Sequence, residues 1–128
     1  MRTLHMLHSL DVAVTDTGST VRSGFKWADL KRGEVFELCV CTRERVGTGT
    51  ENPTGADDYT ETHDVQGKGK VEFLWFGYFK DIPAKLLSWE HELRSREYWG
   101  LYDSMNKAYG ESFGESSPVT VVVYERVE

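Results

Sequence analysis

The chain has 128 residues, enough for one domain with a buried core, and its 39% apolar and 28% charged residues are an ordinary globular balance. Fifteen Lys and Arg against 21 Asp and Glu give a net charge of −6, which repels a phosphate backbone at long range and argues against tight nonspecific duplex binding. No apolar run approaches the roughly 20 residues of a membrane helix, and Met1 to Leu10 has no leader pattern, so a cytoplasmic protein without a membrane partner is expected.

In chain order, Val12-Ala-Val14 and the stretch around Thr20-Val21 read as short extended segments separated by the turn-prone Asp16-Thr-Gly-Ser19. Lys31-Arg-Gly-Glu34 reads as a tight turn in which Gly33 supplies a positive φ. Val35 to Cys41 follows as a strand, with Phe36, Leu38 and Val40 on its core face and Val35, Glu37, Cys39 and Cys41 on the other. Cysteines two apart on one strand are poorly placed for a mutual disulfide, and two ligands do not close a zinc site. Cys39 and Cys41 are therefore read as free thiols acting as small hydrophobes. From Thr42 to Gly69 apolar content collapses, and residues 47–64 are expected to form a mobile polar loop.

Lys70 to Phe79 is the strongest strand candidate, with Gly77 marking a bulge or bend. Asp81 can then cap a helix whose apolar stripe is Leu86, Trp89 and Leu93. A second helix, about Leu101 to Tyr109, follows an interruption at Gly100 and ends at Gly110; it presents Leu101, Met105 and Ala108 on one face. Val119 to Tyr124 closes the chain as a final strand. The expected core includes Phe36, Leu38, Val71, Phe73, Val121 and Val123. The fold class is α+β, with a helical hairpin before the last strand of a single domain spanning residues 1–128.

Three segments carry a family resemblance. They are Gly18-Ser-Thr-Val-Arg22 with Trp27-Ala-Asp-Leu-Lys-Arg-Gly-Glu34, then Gly69-Lys-Val71 running to Phe79-Lys-Asp-Ile82, then Leu101 to Tyr109 with Val119 to Tyr124. Their order resembles the ASCH domain of the PUA-like superfamily and covers about two-thirds of the chain. The resemblance implies a small PUA-like β-barrel that binds nucleic acid or modified nucleosides in a cleft between helices and barrel. Some ASCH proteins are amidohydrolases acting on N(4)-acetylcytidine with a Thr, a Lys and a Glu. By this resemblance Thr20 matches the family's Thr and Arg22 its Arg, and the acid is Glu90 or Glu92. The family's Lys position holds Thr17, which leaves Thr20 without its activating cation.

Positive charge clusters at Arg22, Lys26, Lys31 and Arg32 around Trp27, whose ring offers a stacking face for a base. Lys68 and Lys70 precede the aromatic strand. His91 lacks ligand partners at helical spacing, His5 and His8 lie near the terminus and His63 lies in the polar stretch, so no metal and no other cofactor is expected. The leading function is a module that binds single-stranded RNA, other single-stranded nucleic acid or a modified or flipped base through Arg22, Lys26, Trp27 and Lys31. One alternative is a hydrolase acting on an acylated nucleoside or on RNA, with Thr20, Glu90 and Glu92 as catalytic residues. Another is an acidic protein-interaction or inhibitor module with a basic protein partner.

Overall fold

The computed structural model describes residues 1–7, 9–45 and 59–128. Five strands, β1 (Thr3–Leu7), β2 (Thr17–Ser23), β3 (Val35–Arg45), β4 (Tyr59–Tyr78) and β5 (Pro118–Arg126), form one mixed sheet in the order β1-β3-β4-β5-β2. β1 pairs parallel to β3, and the other three pairings are antiparallel. The sheet curls into a half-barrel, compatible with a small α+β barrel-like fold. Among the described residues no helix is long and apolar enough to cross a membrane.

Alternation along the strands builds two cores. The concave face buries Leu4, Met6, Phe36, Leu38, Val71, Val122 and Tyr124, with Leu30 covering from the loop before β3. The convex face of β5 and β2 buries Val119, Val121, Val123 and Val21 under two helices, α1 (Ala84–Leu87) and α2 (Tyr98–Tyr109). β5 lies between β4 and β2 with both faces covered, which is why Val119 to Tyr124 reads as a nearly continuous apolar run.

Several sequence expectations are corrected. Phe73 is 43% exposed, not core. A bulge at Glu72 pairs Val71 with Tyr124 on the concave face but Phe73 with Val123 on the convex face, beyond the reach of the helices. Gly77 makes no bulge; a Cβ there would meet the Trp75 ring at 2.6 Å, so the glycine makes room for that indole. Residues 59–64 are strand, because their backbones pair with Val40 to Arg45; residues 47–58 lie outside the described residues. Residues 17–19 belong to β2 and not to a turn. β1, which nothing in its short apolar content singled out, forms by pairing with β3.

The first helix is a single turn. Past Leu87 the chain leaves the helix because β2 offers an unpaired edge: the Ser19 amide donates to the Trp89 carbonyl and the His91 amide to the Ser19 carbonyl. Trp89 to Glu92 is therefore not helical, a short 3-10 turn follows over Leu93–Arg96, and Glu90 and Glu92 are not on a helix face. α2 runs through Gly100, where the glycine admits the carbonyl oxygen of Arg94 from the adjoining turn that a Cβ would strike. Leu101 and Met105 are buried as expected, Ala108 is exposed, and Gly110 closes α2 at φ +80°. Gly33 takes the positive φ its turn requires, +85°.

Candidate ligand site and a histidine–cysteine cluster

The two edge strands of the half-barrel, β1 and β2, face each other across the concave side, and Arg22 spans the gap. From β2 its Nη2 donates to the His5 carbonyl of β1 at 2.7 Å and lies 3.5 Å from Met6 Sδ. Its Nε donates to Thr20 Oγ1 at 3.1 Å. Burial lowers the Arg22 pKa, and the neighbouring Tyr109, Glu90, Tyr124 and Cys41 partly oppose that shift. Farther along the seam the Trp89–His91 segment fills the gap, since Asp11 donates its amide to the His91 carbonyl at 2.6 Å. Arg96 locks this segment by donating to the Glu90 and Asp11 carbonyls.

Glu90 is buried at 2% exposure, and its Oε2 accepts from the Glu92 amide at 2.7 Å. Its Oε1 lies 2.6 Å from His91 Nδ1, without the alignment of a hydrogen bond. The carboxylate is near enough for its charge to act on both Arg22 and Tyr124. The Tyr124 hydroxyl is buried without a hydrogen-bond partner, and burial, followed by the Glu90 charge, drives its pKa well above the ordinary tyrosine value. Glu92 is engaged elsewhere, accepting from Arg94 and Ser95.

Strand register places a row across the concave face beyond this group: Arg22 opposite Thr120, and Thr120 opposite Phe76. Phe76 is 48% exposed, and the exposed Phe25 ring lies 6.5 Å from it, centroid to centroid. Tyr78, opposite Pro118, is also exposed at this open end. Trp27 instead packs against the concave core with the Arg2 guanidinium 4.4 Å over its ring and Lys26 Nζ at 5.5 Å. Lys31 sits in the exposed turn whose amide donates to Glu34. The structure thus joins Thr20 with Arg22 and Lys26 with Trp27. Lys68 pairs with Glu128, and Lys70 borders an open groove with Arg32, Glu72, Phe73 and Glu125, so that patch is mixed in sign.

A second group lies on the convex face, where the helices do not reach. His5 on β1 is opposite Cys39 on β3, and Cys41 on β3 is opposite His63 on β4. One ligand atom from each of the four lies within 4.8 Å of all the others. Cys41 Sγ is 3.2 Å from His5 Nδ1 and 3.0 Å from His63 Nδ1, and the two imidazoles meet edge to face at 5.6 Å. Sequence reasoning counted these residues separately and missed the group. The i, i+2 pair Cys39 and Cys41 was the available signal; the strand partners of that pair were not readable.

No family model, curated protein or solved structure matches the chain.

Proposed function

We propose that the chain is an ASCH-type binding module that takes a nucleobase or nucleoside, free or splayed from a single strand, at the open end of the concave face. The row Arg22–Thr120–Phe76, with Phe25 beside it, carries this reading: a planar cation and uncovered rings share one face of the sheet. Base faces stack on aromatic rings whatever the overall charge of the protein, and a guanidinium suits a base edge or a phosphate. The buried, unpartnered Tyr124 hydroxyl and the buried Glu90 carboxylate lie farther in on the same seam. In this reading Phe25 and Phe76 take the stacking role that the sequence assigned to Trp27, whose ring Arg2 covers.

Binding is favoured over hydrolysis. Thr20 Oγ1 accepts its hydrogen bond from Arg22, and a guanidinium cannot take up the hydroxyl proton that a nucleophile must lose. Titration with nucleosides, short single-stranded RNA and DNA, at low and moderate salt, tests the reading with wild type, Arg22→Ala, Phe25→Ala and Phe76→Ala. Loss of one stacking ring is expected to cost roughly 1–3 kcal/mol of binding. Wild-type protein that binds none of these at low salt would end the nucleic-acid reading in favour of a protein partner. Equal binding by all folded variants would keep the ligand class and move the site.

A further inference from the structure

We propose that His5, Cys39, Cys41 and His63 form a Cys₂His₂ zinc site that staples the N-terminal strand to the sheet. The donor set is two thiols and two imidazoles, the borderline-soft ligands zinc prefers. The four come from three adjacent strands, β1, β3 and β4, and strand register alone brings them to one face. Tetrahedral zinc, with Zn–S of about 2.3 Å and Zn–N of about 2.0–2.1 Å, holds its ligand atoms about 3.3–3.8 Å apart. The observed atoms all lie within 4.8 Å, so side-chain rotations that draw the widest pair in by about 1 Å close the shell. Each thiol gives up its proton as it ligates. Four protein ligands leave no open position, which makes the site structural and not catalytic.

A backbone irregularity supports this assignment. On β4, Gly69 and Val71 face the concave core, and strict alternation would point His63 and Val65 the same way. The register shift between Leu38 and Cys39 leaves Gln66 as an extra residue on β4 and turns His63 and Val65 outward, opposite Cys41 and Cys39. The bulge therefore delivers the fourth ligand. A disulfide is the weaker use of the thiols, because neighbours two apart on a strand stand nearly parallel, about 6.6–6.8 Å apart.

The site also connects to the concave face. His5 supplies a ligand from its side chain, while its carbonyl accepts from Arg22. Zinc fixing β1 on the outside would steady the anchor of Arg22 on the inside. The metal site nevertheless stands on its own geometry and does not need a nucleic-acid ligand.

The experiment uses the purified full chain. Zinc content is measured after equilibration with Zn²⁺ and dialysis, thermal unfolding is followed with and without a chelator, and the stripped protein is titrated with Co²⁺. One zinc per chain, a lower Tm with chelator and the charge-transfer and d–d bands of tetrahedral cobalt thiolate are expected. Cys39 is nearly fully buried, so Cys39→Ser also tests folding; His63→Ala, at an exposed position, and Cys41→Ser carry the metal test. Each is expected to weaken zinc binding by more than the about 10–100-fold that loss of an outer-shell partner costs. Sub-stoichiometric zinc with an unchanged Tm overturns the proposal. So does cobalt bound without thiolate bands, or folded variants that bind zinc as wild type does.

Discussion

At the scale of single residues, two glycines hold elements together by lacking a side chain. Within a helix, alanine ordinarily gains about 1 kcal/mol over glycine. At Gly100 the added methyl would strike the Arg94 carbonyl oxygen, so Gly100→Ala should instead destabilise the fold, by about 1–3 kcal/mol. At Gly18 a Cβ would sit 2.6 Å from the Tyr124 ring, and Gly18→Ala should be destabilising for the same reason. A lowered denaturant midpoint at unchanged m-value checks both. Tyr98 makes a pH prediction. Burial, and then its hydrogen bond to Glu115 at 2.6 Å, push the Tyr98 phenol up to about 12 from 10.0. A raised folded-state pKa gives stability that is whole below pH 10 and lost as pH rises toward 12. Tyr98→Phe should therefore lower stability at neutral pH and flatten its decline over that alkaline window, as read by denaturant unfolding at stepped pH.

At the scale of elements, the long strand β4 shows how bulges set the duty of each side chain. Alternation from Val71 makes Phe73 look as buried as any core residue. The bulge at Glu72 sends it to an uncovered part of the convex face, whereas Phe79, just past the strand, is fully buried against Tyr98, Tyr102 and Phe113. Phe79→Ala should cost about 3–5 kcal/mol and Phe73→Ala about 1 kcal/mol or less, measured by equilibrium unfolding. Similar losses for the two would contradict this assignment of faces. The bulge at Gln66 does the equivalent work for His63. In both cases one extra residue shifts a period-2 pattern by one, and the later side chains exchange faces.

At the scale of the whole molecule, the two edges of the half-barrel are bridged by a seam that is not a regular strand. Arg22 bridges β2 to β1 at one point, and Trp89 to His91 join β2 to Asp11 at another. The amides of Ser19, His91 and Asp11 should consequently exchange with solvent nearly as slowly as those of β5, although the segment after α1 has little regular structure. Fast exchange at Ser19 and His91 would show that the seam opens independently of the sheet. The proposed ligand row begins at Arg22 on this seam, so a bound nucleoside should slow exchange near Arg22 more than in α2.

The sequence by itself determined what depends on neighbours along the chain. The faces of Phe36, Leu38 and Val40, the positive-φ turn at Gly33, the end of α2 at Gly110 and the buried final strand were all legible, because pleat, turn and cap are local rules. Only the tertiary structure decided what depends on partners far away in sequence. Leu86, Trp89 and Leu93 carry a helical stripe, yet Trp89 to His91 serve an exposed strand edge, because pairing with the backbone of β2 outweighs a weak local preference. The Cys39–Cys41 pair shares a strand face, but His5 and His63 carry no local sign of it or of each other, and the four meet because β1 and β4 flank β3 in a register that a bulge resets.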